Sequence, residues 1–246
     1  MKAIELAREA IKVGDIQTLG ELIKNNPGLE NDRSEDNDRT LLHTIADYPG
    51  HRMNGIKMAK LLIDTGADVD ARYQHPRLEH VKETPLHWTA SSDDFDLAEL
   101  LLDEGANIDA DQGVIANGTP LWNAAIFRCV HVANLLIERG AASNLMTAAA
   151  AGRMDLVEQY FDEADNVDQE AGAFPGWDEP RSPRTALNSA FGFACRNGHL
   201  TLARRLLDRG ADPTPANPAG ETPLKQAQVG GHRTIVDWLK QCGVEE

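Results

Sequence analysis

The sequence is poor in cysteine, in positive charge and in long apolar runs, and each shortage excludes something. Its 246 residues hold 3 cysteines, Cys129, Cys195 and Cys242. Odd in number, widely spaced and without a C-x-x-C, they read as reduced, largely buried thiols, and place the protein in the cytoplasm. Lys and Arg number 24 against 39 Asp and Glu, a formal charge of −15. That balance argues against nucleic acid, whose phosphates need basic side chains to displace counterions, and against anionic membrane surfaces. No apolar stretch approaches the ~20 residues that a membrane span needs. The opening "MKAIELAREAIKVGD" carries charges throughout, so it reads as an amphipathic helix and not a signal peptide.

What is present is a recurring order of parts. In "ETPLHWTASSDDFDLAELLLDEGANIDA", Thr84 suits a helix N-cap, with its hydroxyl facing an orphan amide. Pro85 then falls on the first helical position, where no amide hydrogen is missed. The pattern predicts a short helix, then a second amphipathic one with Leu97, Leu100 and Leu101 on one face, stopped by Gly105 in a left-handed conformation. The same order returns in "RTLLHTIADYPGH…KMAKLLIDTGADVDA", "GTPLWNAAIFRCVHVANLLIERGAA", "SNLMTAAAAGRMDLVEQYF", "SAFGFACRNGHLTLARRLLDRGADPT" and "ETPLKQAQVGGHRTIVDWLKQCG". The N-terminal "AREAIKVGDIQTLGELIKNNPGL" has the helix pair without the Thr-Pro opening, as a capping unit would. Each pair is too small to bury its own apolar face, so neighbours must stack into one continuous core.

The T-P-L-H opening and the L-L-x-x-G-A-D closing resemble the ankyrin-repeat family over nearly the whole chain. The resemblance implies an all-α solenoid of about seven stacked helix-turn-helix units with β-turn fingers and a concave face. It is read as a single domain, 1–246, with a capping unit at 1–29 and repeats at 39–70, 83–110, 118–142, 143–161, 189–213 and 221–243. It also implies a structural role for His43 and His87, which stand where the family keeps a histidine. The chain departs from the pattern in places. The finger between Gly140 and Ser143 is almost deleted, and the finger "VDARYQHPRLEHVKE" is longer than usual. A long insertion occupies 162–184, and "TALNSAFGFA" after it suggests an extended helix.

The resemblance further implies a protein–protein interaction scaffold that binds a protein partner through its concave groove and finger loops, as a monomer without cofactor or metal. By repeat alignment Tyr48, Trp88, Ser91, Trp122, Asn123, Ile126, Phe127 and Arg196 fall on the concave side as contact candidates, with Trp177 in the insertion. Aromatic side chains clustered on a concave surface are candidate anchors for a partner or a small molecule. The alternative is a small-molecule binder or unusual enzyme, its pocket lidded by 162–184, with His75, Glu79, His80 and His87 as acid/base candidates. The spacing of "QHPRLEH" in a proline-containing loop reads as a solvated finger before it reads as a zinc site.

Overall fold

The recurring pattern folds as seven successive pairs of short antiparallel helices, in a computed structural model that describes residues 2–34, 38–175 and 181–245. Packing divides the chain into two units, Met1–Ala141 and Ala142–Glu246. The first unit holds four pairs: α1 (Ala3–Val13) with α2 (Ile16–Asn25), α3 (Leu41–Ala46) with α4 (Gly55–Asp64), α5 (Pro85–Ser92) with α6 (Phe95–Asp103), and α7 (Pro120–Phe127) with α8 (Val130–Glu138). First helices pack on first helices and second helices on second helices of the neighbouring pair. Leu42, Ile45, Met58, Leu62, Leu86, Leu97, Leu101, Leu121 and Leu136 are among the fully buried side chains of these pairs. Each contributes about 1.5–3 kcal/mol by leaving water.

The punctuation works as the residue types require. Gly105 ends the α6 segment at φ +89°, a conformation that costs any other L-residue steric strain. Between α4 and α5 the lengthened finger forms a two-stranded hairpin, β1 (Tyr73–Gln74) against β2 (Lys82–Glu83), with Tyr73 opposite Glu83. Arg72 fastens the finger by donating to the carbonyls of Lys82 and Asp111, at 3.0 and 2.6 Å.

The second unit holds three pairs: α9 (Leu145–Ala150) with α10 (Met154–Val157), α11 (Pro183–Asn197) with α12 (Leu200–Asp208), and α13 (Pro223–Gly230) with α14 (Arg233–Gln241). Its core centres on Phe191, Leu202, Leu206, Leu224, Ile235 and Leu239. Here the Gly-His of the pattern has a steric reason. A Cβ on Gly152 would lie 2.7 Å from the His199 ring, which donates from Nε2 to the Ala150 carbonyl at 3.1 Å. The extended helix expected after the insertion is α11, 15 residues long and starting at Pro183. It begins earlier than the repeat boundary of 189, because Ser182 caps it by accepting from the Thr185 amide at 3.2 Å. The start of the insertion closes on itself through a bridge between Phe161 and Val167. Arg209 clasps it, pairing with Asp165 and with Glu158 while its guanidinium lies 4.6 Å from the Phe161 ring.

Cys129 and Cys195 are buried, and burial pushes their thiols up to about 11 and about 12, whereas Cys242 is exposed. No helix among the described residues is long and apolar enough to cross a membrane.

Candidate protein-binding surface

In the first unit a buried histidine ties the second pair to the third, and another ties the third to the fourth. His43 accepts from the Thr40 hydroxyl at Nδ1 (2.8 Å) and donates from Nε2 to the Glu83 carbonyl of the following pair (3.2 Å). His87 accepts at Nδ1 from the Thr84 amide (3.1 Å) and reaches the Gly118 carbonyl with Nε2 (3.3 Å). Tautomers are assigned from these partners: an acceptor at Nδ1 leaves the proton on Nε2. Burial pushes His43 from the usual 6.5 down to about 3, and His87 down to about 4, so both stay neutral. With both ring nitrogens committed to the fold, His87 has no nitrogen left for proton transfer, which corrects its candidacy as an acid or base. The other acid/base candidates lie on the finger: His75 is half-buried and accepts from the Arg77 amide at 3.2 Å, while Glu79 and His80 are exposed. Among the described residues no group of three His, Cys, Asp or Glu side chains could hold a metal.

Glu83, at the end of the hairpin, is the polar centre of this face. Its buried carboxylate accepts from the Trp88 indole N–H (3.0 Å), the Val114 amide (3.0 Å) and Asn123 Nδ2 (3.0 Å). Three neutral donors satisfy the charge without a cation. Trp88 is half-buried and enclosed on several sides. His43 and Tyr73 meet it edge-on with ring centroids 5.0 and 5.2 Å away. The Arg39 guanidinium covers it at 4.6 Å and is held by Asp47 at 2.7 Å. Trp88 is therefore a packed floor and not an open aromatic anchor.

The side chains that do stand clear form a row at the ends of the first helices. Tyr48, Ser92 and Phe127 each lie eight residues after the threonine that opens their pair, Thr40, Thr84 and Thr119. In the first pair Val13 precedes a left-handed residue, Gly14, as Ser92 precedes Asp93 and Phe127 precedes Arg128. Val13 is 62% exposed, Tyr48 81% and Phe127 45%, with Ser92 partly exposed between the two aromatics. The turns beneath them are laced together: Asn54 donates to the Gly14 carbonyl (2.8 Å), the His51 amide to Asp94 (2.6 Å) and the Val132 amide to Asp93 (2.9 Å). These bonds hold the exposed apolar groups on a backbone already ordered.

Several contact candidates read from the sequence are elsewhere. Trp122 is 3% exposed and Asn123 fully buried, so neither can meet a partner. Trp122 fills the histidine position of its pair, which points into the stack, and Asn123 is drawn in by Glu83. Ser91 donates to the His87 carbonyl at 2.9 Å and is half-buried, as is Ile126. Arg196 belongs to the second unit, where it pairs with Glu221 at 2.9 Å. Trp177 lies outside the described residues. Sequence reasoning missed Arg39, Tyr73 and Glu83. Their only signal was position, just ahead of a Thr or at the base of the long finger.

A family model described as ankyrin repeats matches the chain in three copies, over residues 8–112, 52–146 and 145–245. The chain is also similar to ankyrin repeat and SOCS box protein 16 of Homo sapiens, 33% identical over 197 residues. That alignment covers 75% of this chain and 40% of the relative, so the chain spans less than half of that protein's length.

Proposed function

The chain belongs to the ankyrin-repeat family, and from that premise we propose that it binds a protein partner through the first-helix face of its first unit, with the fingers as flanking contacts. The observation that carries this reading is the pair of exposed aromatics Tyr48, in the turn just after α3, and Phe127, the last residue of α7, each eight residues after the threonine that opens its pair, with small Ser92 at the equivalent place between them. Apolar side chains held in water by an ordered backbone lose little entropy when covered. The spacing sets the shape of the partner. Tyr48 and Phe127 are two pairs apart, and packed helices lie 8–10 Å from one another, so about 16–20 Å separates the anchors. An extended segment with two apolar side chains about five or six residues apart spans that distance. The charge of −15 steers a segment of basic character toward this protein.

The test uses the wild-type chain as bait beside a Tyr48→Ser/Phe127→Ser variant. Both positions are exposed, so the melting temperature should be preserved to within the roughly 0.5 kcal/mol typical of surface changes. Proteins captured by the wild type should be lost by the variant and retained by Arg233→Ser, a change at an exposed arginine of the second unit. Capture that is indifferent to the Tyr48/Phe127 change would overturn the proposal.

A further inference from the structure

The enclosure over Trp88 is a cation site, and its present occupant belongs to the chain itself. Arg39 places its guanidinium 4.6 Å from the Trp88 ring and 5.8 Å from that of Tyr73. Asp47 closes the far side at 2.7 Å. Beneath the indole, the Glu83 carboxylate polarises the ring through the N–H it accepts at 3.0 Å, and it makes no ion pair among the described residues. Aromatic faces, two carboxylates and a neutral His43 edge are the ingredients that hold a guanidinium or ammonium group.

Arg39 fits the site incompletely. Its Nε is buried and has no hydrogen-bond partner among the described residues, and its side chain keeps 25% exposure, enough to swing outward without opening the core. A guanidinium that leaves a buried N–H unmatched is held less tightly than one that satisfies all of its donors. We infer that Arg39 is an exchangeable placeholder, and that the site takes an arginine side chain of the bound partner, which enters over Trp88 as Arg39 leaves. This inference rests on the reading of the face as a protein-binding surface and names the partner chemistry that the face recognises. The exchange conserves charge: one cation replaces another beside Asp47, and the departing Arg39 is free to meet acidic groups on the partner.

The experiment follows the Trp88 indole N–H signal by NMR, assigned with a Trp88→Phe variant, during titration with the blocked tripeptide Ac-Gly-Arg-Gly-NH2. Its neutral counterpart carrying citrulline is the control. In Arg39→Gln, with the placeholder removed, the arginine peptide should shift the signal saturably and the citrulline peptide should not. Adding Asp47→Asn to that variant should abolish the shift. In the wild type the same shift should need at least about tenfold more peptide, because Arg39 competes. A folded Arg39→Gln protein with no saturable shift, a shift that survives Asp47→Asn, or equal binding by the wild type would each overturn the inference. So would failure of Arg39→Gln to fold, since a placeholder must be removable. None of these outcomes depends on Tyr48 and Phe127. Loss of the arginine site therefore leaves the capture experiment standing, and failure of that experiment leaves the titration readable.

Discussion

His43 and His87 show how a single side chain can join two neighbouring pairs. Each imidazole spends one nitrogen on the opening turn of its own helix and the other on a carbonyl of the following pair. Replacing His87 by Ala leaves the Thr84 amide without its buried acceptor and removes one of the two donors to the Gly118 carbonyl, which keeps the Gly113 amide. The expected loss is about 2–3 kcal/mol in urea unfolding. The same burial makes stability depend on pH. Unfolded, both histidines take up a proton near pH 6.5, whereas the folded forms refuse it down to about 3 and about 4. The unfolded chain therefore binds more protons below 6.5. Stability is full above that value and falls as the pH drops toward 4, at up to about 1.4 kcal/mol per pH unit for each histidine. The urea midpoint should be clearly lower at pH 5 than at pH 7, and less so in a His43→Asn/His87→Asn variant. Equal midpoints for the wild type at the two pH values would show that the unfolded and folded states bind these protons alike. The role of these histidines was legible from position alone. That of Trp88 was not, because its neighbours Arg39 and Tyr73 come from segments 49 and 15 residues upstream that only folding brings together.

The helix openings and stops carry their energies locally. Ser182 caps α11 through the Thr185 amide, so Ser182→Ala should cost about 1 kcal/mol and fray the first turn, seen as faster amide exchange at 185–187. Two glycines separate conformational strain from steric conflict. Gly105 has φ +89° and open space around a would-be Cβ, so Gly105→Ala should cost about 1 kcal/mol. At Gly113 a Cβ would meet the Gly118 carbonyl oxygen at 2.6 Å, and that oxygen accepts from the Gly113 amide at 2.9 Å. The backbone cannot yield there without losing the bond, so Gly113→Ala should destabilise more than Gly105→Ala in parallel urea titrations. Thr-Pro and Gly signals marked most helix ends in advance. They did not reveal that α10 stops after four residues and passes into a 3-10 turn at Glu158–Tyr160. The apolar residues of "MDLVEQYF" fit a longer helix. What ends it is tertiary: the Phe161–Val167 bridge and the pull of Arg205 and Arg209 on Glu158.

At the scale of the molecule, the family and the count of helix pairs were legible because most pairs repeat a similar opening, stop and apolar spacing. The division into two units was not, since the shortened finger near Ala141 looks in sequence like a lost ornament. The division has a testable consequence. Phe191 is fully buried in the core of the second unit, and Phe191→Ala should remove about 3–5 kcal/mol there. Hydrogen exchange should then rise across α11–α14 while α3–α6 keep their protection, as expected of stacked units coupled only to their neighbours. Simultaneous loss in both regions would show a single cooperative block instead. The finger between β1 and β2 offers a different use. From Pro76 to His80, every backbone hydrogen bond described stays inside the finger, closed by the His75 amide on the Val81 carbonyl at 3.1 Å. The bonds that fasten the finger to the rest lie at its root, where the contacts of Arg72 and Glu83 are joined by the Gln74 amide on the Asp38 carboxylate and the Lys82 amide on the Gln112 carbonyl. A foreign peptide could replace those five tip residues and be displayed on a rigid stalk, making this chain a carrier for grafted epitopes.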